Sequence, residues 1–242
     1  MTAEWQVPVP PGLDVLHEDA DLLVLNKPSG LLSVPGKGPD KQDCLSARAQ
    51  ARWPDALVVH RLDQPTSGLV VMARNLQAQR RLSDAFATRQ VDKRYIALVD
   101  GHATLPADAA DGWALIDLPL IADWPRRPLQ KVDFTEGKPS QTLWRPLAYD
   151  SVRDATWVDL NPLTGRSHQL RVHLASLGHA IVGDALYADA RVQTKAPRLM
   201  LHACRLELNH PTSGERLGFV CEWECVSPAS PRMSPGRSTM GG

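Results

Sequence analysis

The 242-residue chain has few cysteines, no long apolar run and no net charge, and each shortage excludes a class of protein. Four cysteines are too few for the disulfide framework of a small secreted domain. The best apolar run, Leu69–Ala73, is far shorter than the roughly 18–20 residues of a transmembrane helix. The opening MTAEWQVPVPPG lacks the basic and apolar regions of a secretory signal. We therefore expect a soluble, cytoplasmic protein that does not bind a membrane.

The cysteine spacing also argues against a metal site. The only close pair is Cys221 and Cys225, in a stretch that alternates like a strand. Residues four apart on a strand lie roughly 13 Å from each other, which is too far to share one ion. No glycine-rich dinucleotide or phosphate-binding motif is present either. The sequence predicts reduced thiols, no metal and no cofactor.

The zero net charge conceals an uneven distribution. Residues 60–95 hold seven basic and three acidic side chains, and residues 121–198 hold eleven and eight. Residues 1–59 and 96–120 are acidic in balance. This pattern fits a basic face that binds nucleic acid, but it equally fits scattered, solvated charges.

Apolar periodicity predicts more strands than helices. Hairpin-like strands flank HEDAD, Leu45–Trp53 and 75–89 follow helical spacing, and 199–208 alternates as a long strand. Regular strand–helix alternation is absent, so we expect an α+β fold with a mostly antiparallel sheet. Residues 1–226 form the predicted domain. Residues 227–242, with three Pro, four Ser and three Gly, are predicted to be a disordered tail.

The most informative stretch is HRLDQPTSGL, at 60–69, a polar loop between two apolar strands. Such a loop can present side chains to a ligand from a rigid scaffold. On residue chemistry alone, Asp63 could be a nucleophile, a general base, a metal ligand or a turn former. Turn formation is the commonest of these roles for an aspartate.

HRLDQPTSGL resembles the HRLDxxTSG signature of the RluA family of RNA pseudouridine synthases. Two more stretches resemble that family's motifs in the family's order, KRY at 93–95 and GRSHQLR at 165–171. The similarity extends over about 13–222. The segment DWPRRPLQK, at 123–131, and the lack of an N-terminal S4 domain resemble the branch that acts on both 23S rRNA and tRNA.

The resemblance implies a pseudouridine synthase fold, with a catalytic cleft across a mixed sheet flanked by helices and loops. The implied enzyme needs no cofactor or metal and isomerises uridines in structured RNA loops, in 23S rRNA, the tRNA anticodon stem-loop or both. The resemblance assigns Asp63 as the catalytic carboxylate, Arg166 as its partner and Tyr95 as the residue that stacks on the base. Arg61 would fill the space left by the flipped nucleotide, and Leu201 would line the substrate pocket. Further expected RNA contacts are His60, Lys93, Arg94, Arg126, Arg127 and Lys131.

Two other functions remain as alternatives. An RNA-binding protein of the same fold that has lost catalysis would be expected to lack Asp63, Tyr95 or Arg166, yet all three are present. A hydrolase that uses Asp63 with a histidine lacks a nucleophile elbow, a paired carboxylate and a metal cluster. Arg171 is expected to contact phosphate or support its motif. A monomer is the simplest expectation for the oligomeric state.

Overall fold

The computed structural model describes residues 8–107 and 109–223, and one large sheet dominates it. The end of the predicted domain at 226 and the predicted tail at 227–242 lie outside the described residues. The elements are β1 (Asp14–Glu18), β2 (Leu22–Lys27), α1 (Leu45–Arg52), β3 (Leu57–Val58), β4 (Ser67–Ala73), α2 (Leu76–Ala87), β5 (Asp92–Asp100), β6 (Ala114–Asp117), β7 (Leu120–Ala122), β8 (Gln130–Val132), β9 (Gln141–Asp150), β10 (Ala155–Pro162), α3 (Gln169–Ser176), α4 (Ala190–Gln193), β11 (Leu201–Asn209) and β12 (Arg216–Val220).

Ten strands form the main sheet, in the order β1-β2-β4-β11-β5-β10-β9-β6, with β3 beside β4 and β12 beside β11. All of its named pairs are antiparallel except β4 with β11, and β7 and β8 form a separate two-stranded sheet. The prediction of an α+β fold with a mostly antiparallel mixed sheet is confirmed. A sheet this wide can carry a cleft along its centre.

The two predicted N-terminal helices form close to where their signals lie. Asn75 caps α2 by accepting a hydrogen bond from the backbone N–H of Ala78 at 2.8 Å. That helix ends at Ala87, two residues before the predicted end, because Arg89 adopts a left-handed conformation with φ 62°. Pro54 follows α1 directly.

Strand β4 is buried along its whole length because helices cover both of its faces. Leu69 and Val71 pack with α2, whereas Val70 and Met72 pack with α1. The polar loop at 59–66 therefore leads into a strand that is buried at every position. A loop anchored in this way can hold its side chains in fixed positions.

The parallel contact between β4 and β11 requires a glycine. Gly68 has φ 112°, and a Cβ there would lie 2.3 Å from the carbonyl oxygen of Ala203. Gly68 is opposite Ala203, and Ala203 is opposite Tyr95 on β5. This row of three residues brings the start of β4, and with it the preceding loop, close to Tyr95.

Cys44, Cys204 and Cys221 are buried free thiols, whereas Cys225 lies outside the described residues. Within 8–107 and 109–223, no group of three or more His, Cys, Asp or Glu side chains is placed to hold a metal ion. None of the helices in these ranges is long and apolar enough to cross a membrane.

Candidate active site

The segment that follows β2 holds the Asp63 loop by hydrogen bonds to its backbone. Ser33 Oγ donates to the carbonyl of Leu62 at 2.7 Å and accepts from the Leu62 N–H at 3.1 Å. Ser29 Oγ donates to the carbonyl of Pro65 at 2.7 Å. The N–H of Gly30 donates to the carbonyl of Gln64 at 2.9 Å. Because these bonds flank Asp63 on both sides, the loop is fixed around that residue.

Lys27 supports the same loop from beneath and has no exposed surface. Its Nζ donates to the carbonyls of Pro28, Leu31 and Gln64 at 2.9, 2.7 and 3.0 Å. Burial lowers the pKa of Lys27 to about 7, although the charge of Asp63 opposes the shift. Sequence reasoning missed this residue, because a lysine followed by Pro-Ser-Gly is typical of a turn and gives no sign of burial.

We expect Lys27 to make the free energy of unfolding rise with pH above about 7. The unfolded chain keeps this proton up to about pH 10.4, so it binds more protons than the native state in that window. The contribution is at most about 1.4 kcal/mol per pH unit. Urea unfolding between pH 7 and 9 should show this rise in the native protein and a flatter dependence in Lys27→Met. Both proteins contain the same cysteines, so any thiol titration contributes equally to both slopes. Identical slopes would therefore contradict a contribution from Lys27.

Asp63 lies at the centre of the cleft with 26% of its side chain exposed. Its Oδ2 is 3.6 Å from Nη1 of Arg171 and 3.9 Å from Nε2 of His168. Arg171 is buried and its Nε and Nη2 donate to both oxygens of Asp184 at 2.8 and 2.6 Å. One guanidinium therefore faces two carboxylates, of which Asp184 holds it in place. A fixed cation beside Asp63 attracts its carboxylate and helps to hold its position.

The expectation that Arg166 is the partner of Asp63 is wrong, because the structure gives that position to Arg171. Arg166 precedes α3 in an exposed loop, and its Nε donates to the carbonyl of Pro139 at 3.3 Å. Arg171 lies in the first turn of α3, which points it into the interior. Arg166 still lines the cleft, where its charge can meet RNA.

His168 presents an uncharged imidazole to Asp63. Its backbone is left-handed, with φ 54°, a conformation that costs energy for a non-glycine residue. The N–H of Gln130 donates to Tyr187 Oη at 2.9 Å, and that hydroxyl lies 2.7 Å from Nδ1 of His168. If the hydroxyl donates to Nδ1, the ring hydrogen is on Nε2, the atom facing Asp63. Burial lowers the pKa of His168, so the ring is neutral at pH 7.

The central cavity, of about 120 Å³, lies between Asp63 and Tyr95. Leu201 closes its apolar side, and Arg61 and Arg166 lie on its wall. Burial, followed by the charge of Asp63, raises the pKa of Tyr95, so its phenol stays protonated. A flat apolar ring opposite a carboxylate suits a flat, neutral base.

Two further cavities adjoin the central one, and Arg61 lines all three. The basic cavity, of about 430 Å³, is lined by His60, Arg61, Phe86, Ala87, Arg89, Lys93, Tyr95, Leu163, Thr164, Gly165 and Arg166. The apolar cavity, of about 310 Å³, is lined by Leu32, Ser33, Val34, Arg61, Leu62, Asp63, Gln64, Pro65, Pro128, His168, Arg171, Ala185 and Leu186. The predicted cleft across the sheet therefore extends to both sides of Asp63.

Two expected RNA contacts have other positions in the structure. Arg94 lines none of the three cavities, and its Nη1 donates to the buried Asp159 at 3.1 Å. Lys93 and Tyr95 line the cleft, and strand alternation turns Arg94 to the opposite face. His60 accepts from the N–H of Val71 at 3.0 Å, and burial lowers its pKa to about 3. His60 therefore orders the loop as a neutral ring, and it cannot act as a cation for phosphate at neutral pH.

The other expected contacts are exposed, with Arg126 and Arg127 on the segment that joins β7 to β8 and Lys131 on β8 itself. Arg126 pairs with Asp123, and Lys131 pairs with Asp133 at 2.9 Å. Arg127 lies over the ring of the exposed Trp124. Each remains a predicted RNA contact.

Comparisons with known proteins show which family the chain belongs to. Residues 21–176 match the profile of the RNA pseudouridylate synthase family. The chain belongs to this family. It is 47% identical to the dual-specificity RNA pseudouridine synthase RluA of Escherichia coli K12, over 89% of this chain and 95% of that protein. It is 48% identical to the protein of that name from Vibrio parahaemolyticus, over 87% and 83%.

A solved structure supports the same assignment. Human RNA pseudouridylate synthase domain containing 1 superposes with a TM-score of 0.72 at 29% identity, over 90% of this chain and 86% of that one. The predicted family, fold and enzyme class are confirmed: the chain is an RNA pseudouridine synthase. The roles of the individual site residues remain predictions.

Proposed function

We propose that this pseudouridine synthase modifies specific uridines in structured loops of 23S rRNA, of the tRNA anticodon stem-loop, or of both, with Asp63 as the catalytic carboxylate. The observation that carries the proposal is the position of Asp63, which faces Tyr95 across the central cavity and lies beside the buried Arg171. The dual-specificity names of the relatives support both RNA classes.

The reaction breaks the N1–C1′ bond of uridine, turns the base and forms a C5–C1′ bond. The C5 proton leaves and N1 gains a proton, so the change is an isomerisation. Asp63 can attack C1′, attack C6 or remove the C2′ proton, and all three routes need its ionised form. The exposed Arg61 lines the central cavity, which fits a site for a base that has left its stack.

Tritium release from RNA that carries 5-tritiated uridine tests the proposal. The substrates are a tRNA anticodon stem-loop and a 23S rRNA hairpin, each with a copy in which the target uridine is replaced by cytidine. We expect release from the uridine forms alone. Salt-sensitive binding of both RNAs without release would favour an RNA-binding protein that has lost catalysis.

We further propose that the enzyme acts in the cytoplasm as a monomer. Sedimentation of the protein with and without its RNA tests this, and a stable dimer would contradict it.

The basic cavity predicts that RNA affinity falls steeply with salt. Arg61, Arg89, Lys93 and Arg166 line it, and each phosphate that a cation neutralises steepens the dependence of binding on salt. Replacing Arg89 with asparagine, which tolerates its left-handed backbone, should reduce the slope of log affinity against log salt by about 0.7–0.9. Fluorescence anisotropy of a labelled stem-loop measures both slopes.

The matched control is Arg153→Asn in the turn between β9 and β10, which lines none of the three cavities. It should leave the slope unchanged. An equal slope change in both variants would assign the salt dependence to overall charge and contradict a phosphate contact at Arg89.

A further inference from the structure

The two cavities that flank Asp63 differ sharply in chemistry. Beyond the residues it shares with the central cavity, the apolar cavity is lined by Leu32, Ser33, Val34, Gln64, Pro65, Pro128, Ala185 and Leu186. None of these eight carries a charge. Its only cations are Arg61 and Arg171, which it shares with the central cavity, and Arg171 is held by Asp184.

An RNA strand that places its target uridine at Asp63 continues on both sides of that residue. The basic cavity, with four cations, matches the phosphates on one side. A phosphate in the apolar cavity would lose water without gaining a cation that belongs to that cavity. An uncharged group of the strand suits it better, and a nucleobase has apolar faces and fits within a cavity of about 310 Å³.

Leu186 is a large apolar residue of this wall that is open to a ligand, with 37% exposure. The carboxylate of Asp184 accepts from the N–H groups of Leu186 and Tyr187 at 2.9 and 3.2 Å, while its ion pair with Arg171 fixes the carboxylate itself. Leu186 therefore lies in a turn that is held by Asp184, and Asp184 is in turn held by Arg171. A rigidly held, exposed leucine is suited to contact the face of a base.

We propose that the apolar cavity binds an unstacked nucleobase adjacent in the strand to the target uridine, with Leu186 against its face. This rests on the proposed function, because the neighbouring base arrives only with a strand bound at Asp63. The cavity is thus a subsite for the sequence context of the target. The subsite contributes equally to binding of the ground state and of the transition state. Its loss should therefore raise KM and leave kcat unchanged.

A double-mutant cycle that combines one protein substitution with one RNA modification tests this subsite. The protein is native or Leu186→Ala, and the stem-loop is intact or carries an abasic residue directly 5′ or directly 3′ of the target. Burial of one leucine side chain against a base supports a loss of about tenfold in kcat/KM for Leu186→Ala on intact RNA, through KM. On one of the two abasic RNAs, kcat/KM of the native protein should fall by a similar factor. Leu186→Ala should have the same kcat/KM on that abasic RNA as on intact RNA.

The matched control is Leu177→Ala, since Leu177 is 40% exposed at the end of α3 and lines none of the three cavities. It should behave as the native protein on every RNA. Full activity of Leu186→Ala on intact RNA would overturn the subsite, as would a tenfold loss that persists on both abasic RNAs. Both results leave the proposed function intact if the native protein releases tritium. A native protein inactive on all intact RNAs would overturn the proposed function and the subsite together.

Discussion

Replacing Asp63 with asparagine is expected to lower the single-turnover rate of pseudouridine formation by about 10³–10⁴-fold. Every route open to this enzyme uses a carboxylate oxygen as nucleophile or base, and an amide is poor at both tasks. The variant keeps the size of the side chain, and the loop is held through the backbone by Ser33, Ser29 and Lys27. Fold and RNA affinity should therefore persist.

The measurement is tritium release with enzyme in excess over RNA, together with anisotropy and thermal unfolding of the same preparations. Asp55→Asn is the matched control, because Asp55 is exposed and pairs with Arg74 away from the cleft. It should retain the native rate. Release by Asp63→Asn at the native rate would contradict the assignment of the catalytic carboxylate.

The position of Asp63 could be predicted because its signals are local. A polar loop between two apolar runs indicates an exposed turn on a rigid scaffold, and the structure confirms the buried strand Ser67–Ala73 on one side of it. The period of two along a strand is equally local: in KRY, Lys93 and Tyr95 share one face, so Arg94 belongs to the other. Strand alternation alone therefore argues against the RNA contact expected at Arg94.

The surroundings of Asp63 depend on contacts that the sequence does not encode locally. Lys27 is recognisable only when three carbonyls from two loops converge on its ammonium group. Tyr187 acquires its position through Gln130, which is 57 residues away in the chain. Their residue types are ordinary for a strand end and a turn, so nothing in the local pattern distinguishes them.

Arg166 and Arg171 show how one motif can mislead. Both lie in GRSHQLR, and their difference depends on where α3 begins, at Gln169. Arg171 then falls among buried neighbours such as Leu170 and Leu174, and a charged residue on a buried helix face requires a partner. The spacing of Leu170 and Leu174, four apart as on one helix face, is therefore a sign in the sequence that the neighbouring Arg171 is buried.

Removing Arg171 is expected to damage both stability and catalysis, and a paired substitution separates the two effects. Arg171→Met leaves the fully buried carboxylate of Asp184 without its cation, which should cost about 3–5 kcal/mol in the free energy of unfolding. It also removes the charge 3.6 Å from Asp63, and the loss of one fixed electrostatic donor typically costs about 10²–10³-fold in rate. Urea unfolding and single-turnover tritium release measure the two losses.

Combining Arg171→Met with Asp184→Asn should restore most of the stability but none of the rate. The asparagine is uncharged, and its side-chain oxygen can still accept from the N–H groups of Leu186 and Tyr187, so the turn survives without its ion pair. The rate stays low because Asp63 still lacks its guanidinium.

Arg166→Met, the change suggested by the motif alone, should lower the rate less than about tenfold, because the Arg166 side chain is exposed and bonds to Pro139 instead of Asp63. Recovery of rate in the double variant, or a larger loss of rate in Arg166→Met than in Arg171→Met, would return the role of carboxylate partner to Arg166.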